Sequence, residues 1–264
     1  MEQLLEAILL GIIQGIAEWL PISSTGHLRI TEYFLKLQVP ILFDVTLHIG
    51  TLIVILFFFR EDIRRIFSDL SRLGFRSENG RLALLIVVGT IPTALIGFFF
   101  SDLIESTFRS PLPIASVLII CGVLLYSSKF SKEVTDNITY RAALAFGTAQ
   151  GIAIIPGLSR SGTTIAIALL LGLKREKAFR FSFLLSIPAI IGALGLTLIK
   201  EHEALAKSGF GLAEILVGAV VAMIVGYFAL RLLHKTLENR KFHLFAFYCW
   251  LAGAALILAG LAGF

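Results

Sequence analysis

The sequence predicts an all-α polytopic membrane protein, an inverted-topology repeat with two re-entrant broken-helix segments. Three observations carry this reading. The 264-residue chain is 57% hydrophobic, only 16% charged, and has a mean hydropathy of +0.89. Apolar stretches recur along it, each near the ~20 residues that cross a hydrocarbon core. Finally, two stretches of equal length resemble each other. "GIIQGIAEWLPISSTG" runs from Gly11 to Gly26 and "GTAQGIAIIPGLSRSG" from Gly147 to Gly162. Both contain Gly-x-x-Gln-Gly-Ile-Ala, then an interruption by proline and serine.

In chain order, the first apolar region, about 4–37, is broken at Pro21. It carries Gln14 and Glu18 and no small-residue cleavage site, so it reads as part of the fold and not as a signal peptide. A span follows at about 41–59. The loop after it holds Arg60, Arg64, Arg65, Arg72, Arg76 and Arg81, which by the positive-inside rule belongs in the cytoplasm. Spans at about 82–100 and 112–128 return the chain to that side at Lys129 and Lys132. The second broken region, about 141–173, is interrupted at Pro156 and Gly157. Spans at about 179–199, 210–233 and 242–264 complete the chain, with Arg231, Lys235, Arg240 and Lys241 marking another cytoplasmic turn. The repeat offset lays Phe43 on Phe179 and divides the chain into halves 1–136 and 137–264. The charge pattern gives the halves opposite orientations.

The net charge of +5 is modest and its basic residues lie in loops, so it indicates topology, not nucleic-acid binding. Cys121 and Cys249 sit inside apolar runs and read as packing residues, without a disulfide framework or metal site. The location expected is the plasma (inner) membrane, multi-pass.

The polar residues in the broken segments point to anion chemistry. Gln14 and Glu18 share one helix face. Pro21 ends that helix, and Ser23, Ser24 or Thr25 can cap the next, with His27 in its first turn. In the second segment Ser159, Arg160, Ser161 and Thr164 open a helix in the same way. Two helix N-termini facing each other make an anion site, and Arg160 adds a fork suited to phosphate oxygens. A Mg²⁺ (or Ca²⁺) bridging Glu18 and a phosphate, with Gln14 as co-ligand, explains the carboxylate beside that site. The competing reading makes Glu18 a structural partner of Arg160. Ser24 and His27 supply nucleophile and proton-transfer roles. Asp44 and His48, four apart, either line the same cavity or pair with each other. Ser182 and Ser186 read as helix-packing residues. His202, His234 and His243 read as interfacial, and Trp19 and Trp250 as packing or interface aromatics.

With these residues in place, the sequence resembles the bacitracin-resistance family of undecaprenyl pyrophosphate phosphatases. The first signature stands as Gln14-Gly-Ile-Ala-Glu18, then Pro21 and Ser23-Ser24-Thr25-Gly26-His27. The second is "PGLSRSGTT", Pro156 to Thr164. The resemblance covers nearly the whole chain. It implies divalent-cation-dependent hydrolysis of a polyprenyl diphosphate to the monophosphate, recycling a lipid carrier for envelope glycan synthesis, and a fold of interlocked inverted repeats. It carries roles onto Glu18, Ser23, Ser24, Thr25, His27, Ser159, Arg160, Ser161 and Thr164. Gln14 stands where many members have Glu, which leaves more of the metal binding to Glu18. Ser24 is favoured as nucleophile, with His27 next. The partners implied are the lipid diphosphate and membrane lipid; a homodimer is compatible. The rival from another class is a polyprenyl-phosphate transporter or flippase. The other integral-membrane lipid phosphatases need an Arg-Pro pair, which this sequence lacks.

Overall fold

The computed structural model describes residues 2–108, 110–200 and 210–262. All regular structure among them is helical, apart from one isolated bridge between Thr135 and Leu173. The helices are α1 (Glu2–Trp19), α2 (Ser24–Leu35), α3 (Ile41–Phe58), α4 (Arg60–Ser71), α5 (Glu78–Thr107) and α6 (Pro111–Ser127). They continue as α7 (Tyr140–Ile152), α8 (Arg160–Leu170), α9 (Arg175–Lys200), α10 (Leu212–Glu238) and α11 (Phe245–Leu261). Six helical stretches are long and apolar enough to cross a membrane, and they coincide with the six clear spans expected. Along α5, Val87, Ile91, Leu95 and Phe98 point outward, as side chains facing lipid would. The chain is a multi-pass membrane protein. His202 lies outside the described residues.

The helix order repeats: a broken pair (α1–α2, then α7–α8) precedes a long helix (α3, then α9) and two more (α5–α6, then α10–α11). The two sets interlock. The first helix of each packs against the fourth-placed long helix of the other, α1 on α10 and α7 on α5. Glycines permit the approach. A methyl on Gly11 would come 2.7 Å from the Gly218 carbonyl oxygen, and one on Gly15 2.8 Å from that of Ala222. Gly147 meets Gly89 and Gly151 meets Ile96 in the same manner. Both series of contacts ascend together along the chain, so each pair runs parallel. Where lipid removes the hydrophobic drive between helices, such small-residue seams supply the packing. α6 and α11 cross between the sets, with Gly122 against Trp250 and Gly253 against Ala115.

Ion pairs gather the basic loops on one face. Asp62 accepts from Arg180, Glu78 pairs with Lys177, Asp136 with Lys174, and Glu133 with both Arg175 and Arg240. The charge pattern placed these loops together, and the contacts agree. An aromatic cluster fills the centre. Trp19 lies 5.6 Å from Phe183, which meets Phe179 at 4.6 Å and stacks on Phe59 at 6.0 Å. Trp19 follows Glu18, so this rigid cluster backs the polar site.

Candidate active site

The two chain breaks face each other. Residues 20–23 join α1 to α2, and 153–159 join α7 to α8. Ser23 and Ser159, equivalent in the repeat, cap the two new helices. The Ser23 hydroxyl accepts from Gly26 N at 3.3 Å, and that of Ser159 from Gly162 N at 3.1 Å. The Ser23 hydroxyl also accepts from Gly157 N at 3.0 Å, stitching one break to the other. Ser23 has φ +73°, a strained conformation for a residue with a Cβ, and Gly157 has φ +101°. Ser161 closes the second tie by donating to the Trp19 carbonyl at 3.0 Å.

Glu18 is the hub between the breaks. Its Oε1 accepts from Arg160 Nη2 at 2.6 Å, and its Oε2 from the Ser24 hydroxyl at 2.7 Å. Gln14 Nε2 reaches Oε2 at 3.2 Å and lies 3.0 Å from His48 Nδ1, which is itself 3.8 Å from Oε2. Arg160 is held on its other face by the Trp19 ring, 5.7 Å from its Cζ. Ser24 and Arg160, equivalent in the repeat, thus meet on opposite oxygens of one carboxylate. The Glu18–Arg160 pairing weighed as a competing reading is present in the structure. It does not isolate Glu18, since the other oxygen remains on Ser24.

His27 stands in the first turn of α2, as expected, but it does not meet Ser24. Its Nδ1 donates to the Ser23 carbonyl at 2.8 Å, which leaves Nε2 as acceptor for the Tyr248 hydroxyl at 2.7 Å. The rings of His27 and Tyr248 stack 5.6 Å apart. The hydroxyl of Ser24 is bonded to Glu18 rather than to His27. The i,i+3 spacing aligns side chains on one face but does not make them meet, because the capped turn at Ser23 claims the imidazole first. Tyr248 comes from α11, and nothing in the sequence near it signals the contact.

The other expected phosphate ligands divide. The hydroxyls of Ser23, Ser159 and Ser161 are buried and engaged as above. Thr164 donates to the Arg160 carbonyl at 2.8 Å and contacts the Ser182 hydroxyl. Their geometry holds the turns rigid. Thr25 lines a cavity of about 460 Å³, together with Leu28, Arg29, Glu32, Tyr33, Leu37, Asp44 and His48. Asp44 and His48 therefore line this cavity, and neither hydrogen-bonds the other. The cavity lies at the N-terminal end of α3, the end remote from α4.

Among the described residues, no group of three or more His, Cys, Asp or Glu side chains gathers to hold a metal ion. The donor set at Glu18 fits a different kind of site. The Gln14 Oε1 is buried with no hydrogen-bond partner, one turn from the Glu18 carboxylate. With the Gln14 amide turned over, so that its oxygen and not Nε2 faces Glu18, one carboxylate and one amide oxygen would suit a Mg²⁺ that takes its remaining ligands from water and substrate phosphate.

The chain is similar to known proteins over nearly its whole length. The family model described as bacitracin resistance protein BacA matches residues 7–255. A protein named undecaprenyl-diphosphatase from Halothermothrix orenii is 42% identical over 98% of this chain and 99% of its own length. Proteins of the same name from Carboxydothermus hydrogenoformans and Methanosphaera stadtmanae are each 41% identical, over 98% of both chains.

Proposed function

Because the chain belongs to the bacitracin resistance protein BacA family, we propose that it hydrolyses undecaprenyl, or a similar polyprenyl, diphosphate to the monophosphate and inorganic phosphate. The observation that carries this reading is the Glu18 carboxylate held between a hydroxyl from one chain break and a guanidinium from the other. In the proposed reaction Glu18 accepts the Ser24 proton as Oγ forms a bond to the terminal phosphorus. The bridging P–O bond breaks and its electron pair leaves with the lipid monophosphate. Water then cleaves the phosphoserine. Arg160 turns from Glu18 toward the phosphate oxygens, where its planar fork offsets their charge. Tyr248 and the Ser23 carbonyl hold His27 in one tautomer at the edge of the site. Gln14 and Glu18 would hold a divalent cation, which supplies charge neutralisation for the diphosphate.

In this reading the two halves, 1–136 and 137–264, are inverted repeats whose broken pairs are re-entrant in the bilayer. The basic loops face the cytoplasm of the plasma membrane. The cavity then opens to the outside, where a carrier lipid released by glycan polymerisation becomes available. Recycling that lipid, for peptidoglycan or another envelope glycan, accounts for the bacitracin-resistance name of the family.

The test is phosphate release by purified protein in detergent from polyprenyl diphosphates of graded length, with and without EDTA. Release that stops with EDTA and returns with Mg²⁺ is expected. A flippase alone would release no phosphate. Rapid-quench trapping of an acid-stable phosphoenzyme supports Ser24, whereas an acid-labile, base-stable one would transfer the attack to His27.

A further inference from the structure

The helix α4 is not used by the site. It begins at Arg60, a single residue separating it from the end of α3 at Phe58, so it follows directly on a helix long and apolar enough to cross a membrane. With 12 residues it is ~18 Å long, too short and too charged to cross a bilayer. Ile63, Ile66, Phe67 and Leu70 form one apolar stripe at i, i+3, i+4 and i+7. Ile63 and Ile66 pack against the core, but Phe67 is 68% exposed and Leu73, just beyond the helix, 77% exposed.

The charges on either side of this stripe are segregated. On the Ile66 edge lie Asp62 and Asp69, and both are used internally. Asp62 accepts from Arg180 at 2.7 Å, and Asp69 from the Ser77 hydroxyl at 2.6 Å and Asn79 at 3.1 Å. On the Phe67 edge lie Arg60 and Arg64. Arg60 folds back on the Phe57 carbonyl and ring. Arg64 makes no ion pair or hydrogen bond among the described residues. The acidic edge is turned into the protein, and the basic edge, with its exposed phenyl ring, is turned away from it.

We propose that α4 lies in the plane of the membrane surface and docks on anionic lipid headgroups. Phe67 enters the acyl boundary, and Arg64 binds headgroup phosphate beside it. Arg65, on the water side, contributes less. The role is independent of the phosphatase reading and concerns the opposite end of the molecule.

The test uses full-length protein with Phe67→Cys carrying an environment-sensitive fluorophore, since Cys121 and Cys249 are fully buried and escape labelling. It is reconstituted in phosphatidylcholine vesicles with and without about one-third phosphatidylglycerol. A blue-shifted label, quenched by acyl-chain nitroxide and shielded from iodide, is expected, with more of it docked when the anionic lipid is present. Arg64→Gln should lower the docked fraction by about fivefold, and Arg65→Gln by much less. Full iodide access, or docking indifferent to phosphatidylglycerol and to Arg64→Gln, would overturn the proposal. A blue shift that follows protein density and not lipid composition would instead assign the face to a second copy of the chain, also overturning it.

Discussion

The two broken segments share a backbone and differ in chemistry. Gly11 and Gly147, Gly15 and Gly151, and Ser23 and Ser159 do the same structural work in each. The glycines admit a neighbouring helix, and the serines cap the restarted one. The side chains around this frame diverge. Gln14 faces Glu18 and His48, whereas Gln150 bonds the Thr93 hydroxyl and the Leu185 carbonyl at 3.3 Å each. Glu18 is matched by Ile154, and Ser24 by Arg160. One half brings the acid and hydroxyl, the other the cation. The repeated frame keeps what builds the turn and divides the polar groups placed there.

The largest effects should follow from breaking the pairing across the halves. Glu18→Gln should reduce turnover ~1,000-fold or more and remove the response to Mg²⁺, because it removes the proposed proton acceptor and the only carboxylate in either signature. Arg160→Lys should also lose most activity, since an ammonium keeps the charge but not the fork. Phosphate-release rates over a Mg²⁺ series check both, and unchanged Mg²⁺ affinity in Glu18→Gln would discard that ligand.

Next come the two serines that stand side by side. Ser24→Ala should cost at least ~100-fold in kcat while binding is retained. Ser23→Ala should act on stability instead, by about 1–3 kcal/mol, because two buried N–H groups lose their acceptor. Thermal unfolding in detergent beside kcat separates the two. Equal kcat losses without a change in unfolding would erase the distinction.

One substitution made in each half sharpens the comparison further. Gln150→Glu places a carboxylate against the acceptor Leu185 carbonyl and should cost about 3 kcal/mol or more. Gln14→Glu should fold and remain active, with altered metal preference, because His48 is at hand and the new carboxylate would add to the proposed cation site. Membrane yield and unfolding temperature of the pair decide, and equal tolerance would mean the halves are not specialised there.

The smallest effect expected is from Tyr248→Phe. Losing one hydrogen bond of about 0.5–1.5 kcal/mol should slow turnover roughly threefold to tenfold. The loss should vanish in a His27→Gln background if the hydroxyl acts only through that imidazole. An undiminished loss in the double variant would give Tyr248 a separate role.

Much of this was legible in the sequence. Hydropathy located six spans, and the Gly11–Gly26 and Gly147–Gly162 repeat located both breaks, because helix-stopping residues in an apolar run have few other uses. The equivalence of Ser24 and Arg160 foretold that they would converge. What local spacing could not supply was direction. Whether Ser24 bonds His27 or Glu18 depends on the φ of Ser23 and on its bond to Gly157, 134 positions away. Tyr248 and His48 reach the site through helix packing alone. α4 lay inside a stretch read as a basic loop, since its alternating charges mask a stripe of only four apolar residues.

The interlocking of the halves sets an order on how the protein comes into being. α1 is made first, yet α10, the helix its glycine seam packs against, emerges roughly two hundred residues later. At ~5–20 residues per second, α1 waits on the order of tens of seconds for its neighbour. Glu18 and Arg160 are likewise synthesised far apart, so Glu18 is without its guanidinium partner until α8 is made. A chain ending before α8 would leave Glu18 without that partner and the glycine seam of α1 bare at the same time.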